Sequence, residues 1–251
     1  MNKMFPLMLD RPEGRQIASG ISYIVMTTVF LPWFLILAFS MTSTDQAFGV
    51  WFDLGYHALN FAATVIIFRE YLAESFLNVQ INLKSVLLTC GGAVLVIFGY
   101  VSLVSILAFS GSEILSLASL SALPISEVDQ FCLPIAIVSE KTLPGTLCMA
   151  LMTPVTISCL YYAAAFAPVC SNHGWLGYAA VAVLIAVPKI ANALTFWNST
   201  EELIIYLAQL PVHLIACWTY QKKDTVWAPI LTLGVSNLIT CGLMVLLGWT
   251  A

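Results

Sequence analysis

"SVLLTCGGAVLVIFGYVSLVSILAF", residues 85–109, contains no charged residue. A helix needs about 20 consecutive, mostly apolar residues to cross the hydrocarbon layer of a bilayer. This stretch satisfies that requirement and reads as a transmembrane helix. Working outward, six more segments read the same way: about 19–38, 48–68, 143–167, 175–196, 203–219 and 226–247. The expected fold class is therefore all-α, a polytopic transmembrane helical bundle of seven spans. The whole composition agrees, with 60% apolar and 9% charged residues over 251 positions and a mean hydropathy of +0.93. A soluble domain carries about 25% charged residues. The net charge of −4 sits in the connections and gives no hint of nucleic-acid binding.

The connection 110–142 holds "EILSLASLSAL" and "FCLPIAIV", each too short to span. They read as surface or re-entrant segments, and an eighth span would arise only if one of them crossed. Tryptophans 51, 175, 197, 218, 227 and 249 fall at span ends, where an amphipathic indole prefers the headgroup region. The polar, basic opening "MNKMFPLMLDRPEGRQ" is followed by no small-residue cleavage site, so it reads as a flank of the first span rather than a signal peptide.

Basic residues set the orientation. Lys3, Arg11, Arg15, Arg69, Lys84, Lys222 and Lys223 share one side if the N-terminus is cytoplasmic. Asp45, Glu113, Glu127, Asp129, Glu140, Glu201 and Glu202 fall on the other. That is a positive-inside pattern, and it predicts an integral membrane protein with a cytoplasmic N-terminus. The seven cysteines are widely spaced, without CxxC, and read as small apolar fillers.

Ionisable groups inside spans are few, and each needs a reason, because one costs roughly 2.5–3.5 kcal/mol at mid-helix on insertion scales. They are His57, Lys189 and His213, with Asp53 near an outer end. Lys189 follows Pro188, which removes a backbone donor and predicts a kink. It reads either as a cavity lysine, counter-charged by Glu201 or Glu202, or as one snorkelling to the interface. His57 and His213 read as packed histidines with one hydrogen bond each, or as cavity groups. Asn192 and Asn237 read as interhelical hydrogen-bonding glue. "STEEL", 199–203, reads as a capped helix start.

No HExxH, GxSxG or P-loop occurs, and no carboxylate lies centrally in a span. No cofactor and no metal site is expected. The bilayer is the one partner the residues themselves imply.

The last third is similar to a known family. "LAQLPVHLIACWTYQKKDTVWAPILTLGVSN" ends one helix in small and aromatic residues, passes a short basic turn and enters the next at "WAPIL". With "FREYLAESF" and "LMTPVTISCLYYAAAF", it resembles the CPBP intramembrane proteases, which comprise type II CAAX prenyl endopeptidases and bacteriocin-processing or self-immunity proteins, also called Abi. The resemblance covers roughly 60–245 and is strongest from 143. It divides the chain into a cytoplasmic segment 1–18, N-terminal helices and an outer connection 19–142, and a CPBP-like core 143–251.

The family's first motif is a proline helix with paired glutamates and an arginine. Here Pro154 and Val155 match, but Ile157 and Ser158 stand at the glutamate positions and Tyr162 at the arginine position. The histidine of the next helix falls at Asn192. In the last motif Leu233 replaces histidine while Asn237 is kept. The family's reaction implies a glutamate-activated water and a His/Asn oxyanion site, and isoleucine and leucine supply neither.

The resemblance thus implies a pseudoprotease in a bacterial plasma membrane. It would act by binding a membrane protein or a hydrophobic peptide, in regulation or bacteriocin self-immunity. Two alternatives stay open. One is an active endopeptidase with a rebuilt site, Ser158 with His213 or His57 with Glu70 or Glu74. The other is a small transporter-like bundle using Lys189.

Overall fold

The computed structural model describes residues 11–27, 46–108, 151–196 and 199–246. These residues form seven helices and no strand. They are α1 (Gly14–Val25), α2 (Gln46–Ile81), α3 (Leu83–Ala108), α4 (Leu151–His173), α5 (Leu176–Phe196), α6 (Ser199–Lys223) and α7 (Trp227–Leu246). Three segments are long and apolar enough to cross a membrane: Leu83–Leu107 of α3, the whole of α4, and Glu202–Lys223 of α6. Shorter apolar stretches lie in α5 (Leu176–Val187) and α7 (Trp227–Thr240). The 110–142 connection and the end of the 19–38 span lie outside the described residues, as do the side chains of Asp53, Asn192 and Glu201.

Two helices begin or end away from the sequence boundaries. α1 starts at Gly14, before residue 19, because the Glu13 N–H donates to Gln16 Oε1 (3.1 Å) and fixes the first turn. α2 continues to Ile81, well past residue 68. Its extension is charged, yet its buried residues are Phe68, Tyr71, Leu72, Ser75 and Val79. That spacing keeps one face inward at a period of about 3.6 residues while Arg69, Glu70 and Glu74 face out. A single turn residue, Asn82, then separates α2 from α3.

α4 occupies the centre. It touches α1, α2, α5, α6 and α7, and 78% of its apolar window is buried, against 28% for α3. α3 instead presents Leu87, Leu88, Leu95, Val96, Leu103 and Ile106 outward, an apolar face fit for lipid. The backbone of α6 runs through Pro211, whose ring disturbs the carbonyls of the preceding turn. The Tyr100 hydroxyl of α3 donates to the Ala208 carbonyl there (3.0 Å). Gly174 joins α4 to α5 at φ 58°, a conformation that L side chains adopt at a steric cost.

One end of the bundle is tied by polar pairs. Tyr71 and Tyr220 share a hydrogen bond (2.6 Å), as do Ser75 and Thr225 (2.8 Å). Trp227 Nε1 donates to the Leu72 carbonyl (2.9 Å), Lys223 Nζ to Ser85 Oγ (2.5 Å) and the Tyr178 hydroxyl to Gln221 (2.5 Å). These contacts join α2, α3, α5, α6 and α7 around Asn82 and Asp224. The described cysteines 90, 159, 170 and 217 are buried free thiols, the filler role expected of them.

Gly20 lets α1 reach the core. A Cβ there would meet Phe68 Cζ at 2.8 Å and Ala164 Cβ at 3.0 Å, whereas one at Gly91 would meet nothing within 4 Å. Gly20→Leu should destabilise the detergent-solubilised protein by about 1–3 kcal/mol, the usual cost of overpacking. Gly91→Leu should leave the thermal midpoint unchanged. Equal midpoints for the two variants would refute the close approach of α1.

Candidate functional site

The site is built on an irregular segment of α4. Residues Ser158–Phe166 are π-helical, and all but Ala165 are buried. Pro168 explains the irregularity. It lacks an N–H and its ring crowds the carbonyl four residues back, so the preceding turns widen to i→i+5 bonding, as in the Ala167 N–H bond to the Tyr162 carbonyl. Such segments concentrate at functional positions.

The motif positions meet in one core. Ile157, Tyr162 and Leu233 are each fully buried and belong to the same apolar cluster. Ser158 and Asn237 are also fully buried. The Ser158 Oγ has no hydrogen-bond partner. Asn192 lies on α5, its side chain outside the described residues.

Tyr162 and His213 form the central polar pair. The Tyr162 hydroxyl and His213 Nδ1 are 2.7 Å apart, and the rings meet edge to face with centroids 6.2 Å apart. α4 and α6 are antiparallel at this point, since Phe166 stacks on Tyr220 with centroids 6.0 Å apart. Lys189 of α5 is 8% exposed and lies within electrostatic reach of His213. It is therefore buried against protein and does not snorkel to solvent. The backbone of α5 is helical through Pro188.

The rebuilt sites fare differently. His213 Nδ1 is engaged by Tyr162, not by Ser158. His57 is buried on α2, but Glu70 is exposed and pairs with its neighbour Arg69 (3.3 Å). Thirteen helical residues separate His57 from Glu70, about 20 Å along the axis, and Glu74 is a further turn away. That pairing is thus excluded by geometry, because both partners ride on one straight stretch of backbone. No group of three His, Cys, Asp or Glu residues among the described residues could hold a metal.

Sequence reasoning missed the Tyr162–His213 pair. Each residue had been read singly, and nothing in either helix signals the other. It also missed a set of buried hydroxyl and amide groups. Asn60 Nδ2, Thr64 Oγ1, Thr153 Oγ1, Ser158 Oγ and Ser236 Oγ are all without a partner.

No family model, no curated protein and no solved structure matches the chain. The site therefore stands on its own geometry.

A double-mutant cycle measures the central pair. Tyr162→Phe strands a buried imidazole nitrogen, and His213→Leu strands a buried phenol. Unfolding in detergent should give a coupling energy of about 0.5–1.7 kcal/mol, the range of interhelical hydrogen bonds in membranes. Strict additivity would show that the pair contributes nothing.

Proposed function

We propose that this protein acts by binding rather than by cleavage, on a seven-span scaffold of the CPBP type. One observation carries the reading. The positions at which the resemblance demands a general base and an oxyanion donor are filled by Ile157 and Leu233, fully buried in a shared apolar cluster. The Tyr162 hydroxyl at the arginine position is spent on His213. Glu202 is the one buried carboxylate among the described residues, and it lies eleven helical residues, about 16 Å, from His213 along α6.

The side of the membrane follows from charge. Arg11, Arg15, Arg69, Lys84 and Lys222 are exposed and belong to the end of the bundle near Asn82. Arg11 donates to Ser171 Oγ at the close of α4 (3.4 Å), which keeps the N-terminal segment at that end. A cytoplasmic N-terminus accommodates all of them. The partner in this reading is a membrane protein or a hydrophobic peptide, met within the plane of a bacterial plasma membrane.

The test is cleavage. Purified wild type should leave a quenched membrane-protease peptide and a prenylated CAAX peptide intact. Cleavage that disappears in Ser158→Ala or His213→Leu would overturn the proposal and establish a rebuilt catalytic site.

A second reading, a small transporter-like bundle, is favoured by the burial of Lys189 beside the polar core. Lys189→Met should then abolish solute flux in liposomes. Unchanged flux would remove it.

A further inference from the structure

The unpartnered polar atoms are not scattered. At the Asn82 end the buried polar side chains Tyr71, Ser75, Tyr220 and Thr225 are all bonded. Every atom of the unpartnered set lies toward the opposite end, on α2 (Asn60, Thr64), α4 (Thr153, Ser158) and α7 (Ser236). These three helices touch one another pairwise.

Their registers bring the groups to one level. Ser75 and Thr225 are in contact, and Thr64 lies eleven residues before Ser75, as Ser236 lies eleven beyond Thr225. At about 1.5 Å per residue, both stand roughly 16 Å from that contact. Phe68 and Ala164 both face the Cβ position of Gly20, so they are level. From them, Thr64 is one turn back on α2 and Ser158 six residues back on α4. α2 and α4 run in the same direction, so both steps lead away from the Asn82 end.

Thr64, Ser158 and Ser236 are fully buried, and Asn60 is 2% exposed. A buried polar group without a partner is costly, so such a cluster calls for an occupant. The sign of that occupant follows from the donors. The Asn60 carbonyl already accepts from the Tyr23 hydroxyl (2.6 Å), so the free group is its NH₂, which only donates. The hydroxyls of Thr64, Ser158 and Ser236 are each free to turn a proton inward. No carboxylate belongs to the set, and the buried cation Lys189 stands on α5, which packs against α4.

We propose that this junction of α2, α4 and α7 is a binding site for a small monovalent anion of the halide class. Hydroxyl and amide donors replace its hydration shell, and a single charge is the most that such a neutral lining can hold away from water. The site needs neither peptidase activity nor its absence, and so stands apart from the reading above.

The experiment uses the full chain in nanodiscs, titrated with chloride at constant ionic strength with gluconate as the replacement anion. The thermal midpoint should rise saturably by about 3–5 °C, as expected for a ligand bound well above its dissociation constant. Equilibrium dialysis with radiolabelled chloride should give about one anion per chain. Thr64→Val, Ser158→Ala and Ser236→Ala should each raise the half-saturating chloride concentration at least tenfold, while Gly91→Ala leaves it unchanged. A flat wild-type response in both measurements means that the groups hold water only and overturns the proposal. A saturable response that persists unchanged in all three variants places the anion elsewhere and overturns it as well. If a variant fails to fold, the wild-type dialysis still decides.

Discussion

α4 has almost no surface to give to lipid, and the rest of the bundle is arranged around that constraint. Eight of the nine residues from Ser158 to Phe166 are buried. An ordinary amphipathic helix buries one stripe. To bury nearly all round, α4 must be enclosed, and α1, α2, α5, α6 and α7 do the enclosing. Close approach follows from small residues at the contacts, with Ala163, Ala164 and Ala167 on α4 and Gly20 on α1. This is the packing expected of membrane helices, where dispersion rather than water drives association.

Enclosure has a polar consequence. Within an apolar medium each hydroxyl or amide must find its partner inside the chain. The Asn82 end meets that demand with side-chain pairs that cross helices, from Tyr71–Tyr220 to Ser75–Thr225. Further along, the demand is met only in part. Tyr162 pairs with His213 and Asn60 with Tyr23, while Thr64, Ser158 and Ser236 remain open. A bundle whose sole requirement was stability would place alanine or valine at those three positions. Their retention as hydroxyls ties the open half of the bundle to an occupant, and the closed half to holding the helices in register.

The sequence made the helical class legible because uninterrupted apolar runs, such as 85–109, have one reading in a chain this poor in charge. α3, α4 and α6 were found for that reason. The rest needed information that no single segment carries. The 69–81 extension of α2 was hidden because a hydropathy reading stops at Arg69 and Glu70, although Phe68, Tyr71, Leu72, Ser75 and Val79 repeat at helical spacing. The π-helical segment was hidden because Pro168 signals a disturbance but not its form. His213 was legible as a buried histidine needing one bond. Its partner, Tyr162, lies 51 residues away and becomes visible only when α4 and α6 are packed.

Ile157 and Leu233 also bear on what this core can become. Each sits at zero exposure among apolar neighbours. A glutamate at either place would bring a carboxylate into surroundings that offer a single imidazole, already bonded to Tyr162, and no guanidinium among the buried described residues. An isolated buried charge of that kind takes up a proton or forces water inward, and a proton-bound carboxyl is no general base. The arginine that the resemblance calls for at position 162 would supply the missing counter-charge, so the two changes make sense only together. The apolar pair and the Tyr162–His213 bond are thus one solution to a single electrostatic problem: a core that keeps its helices close without any buried acid at its centre.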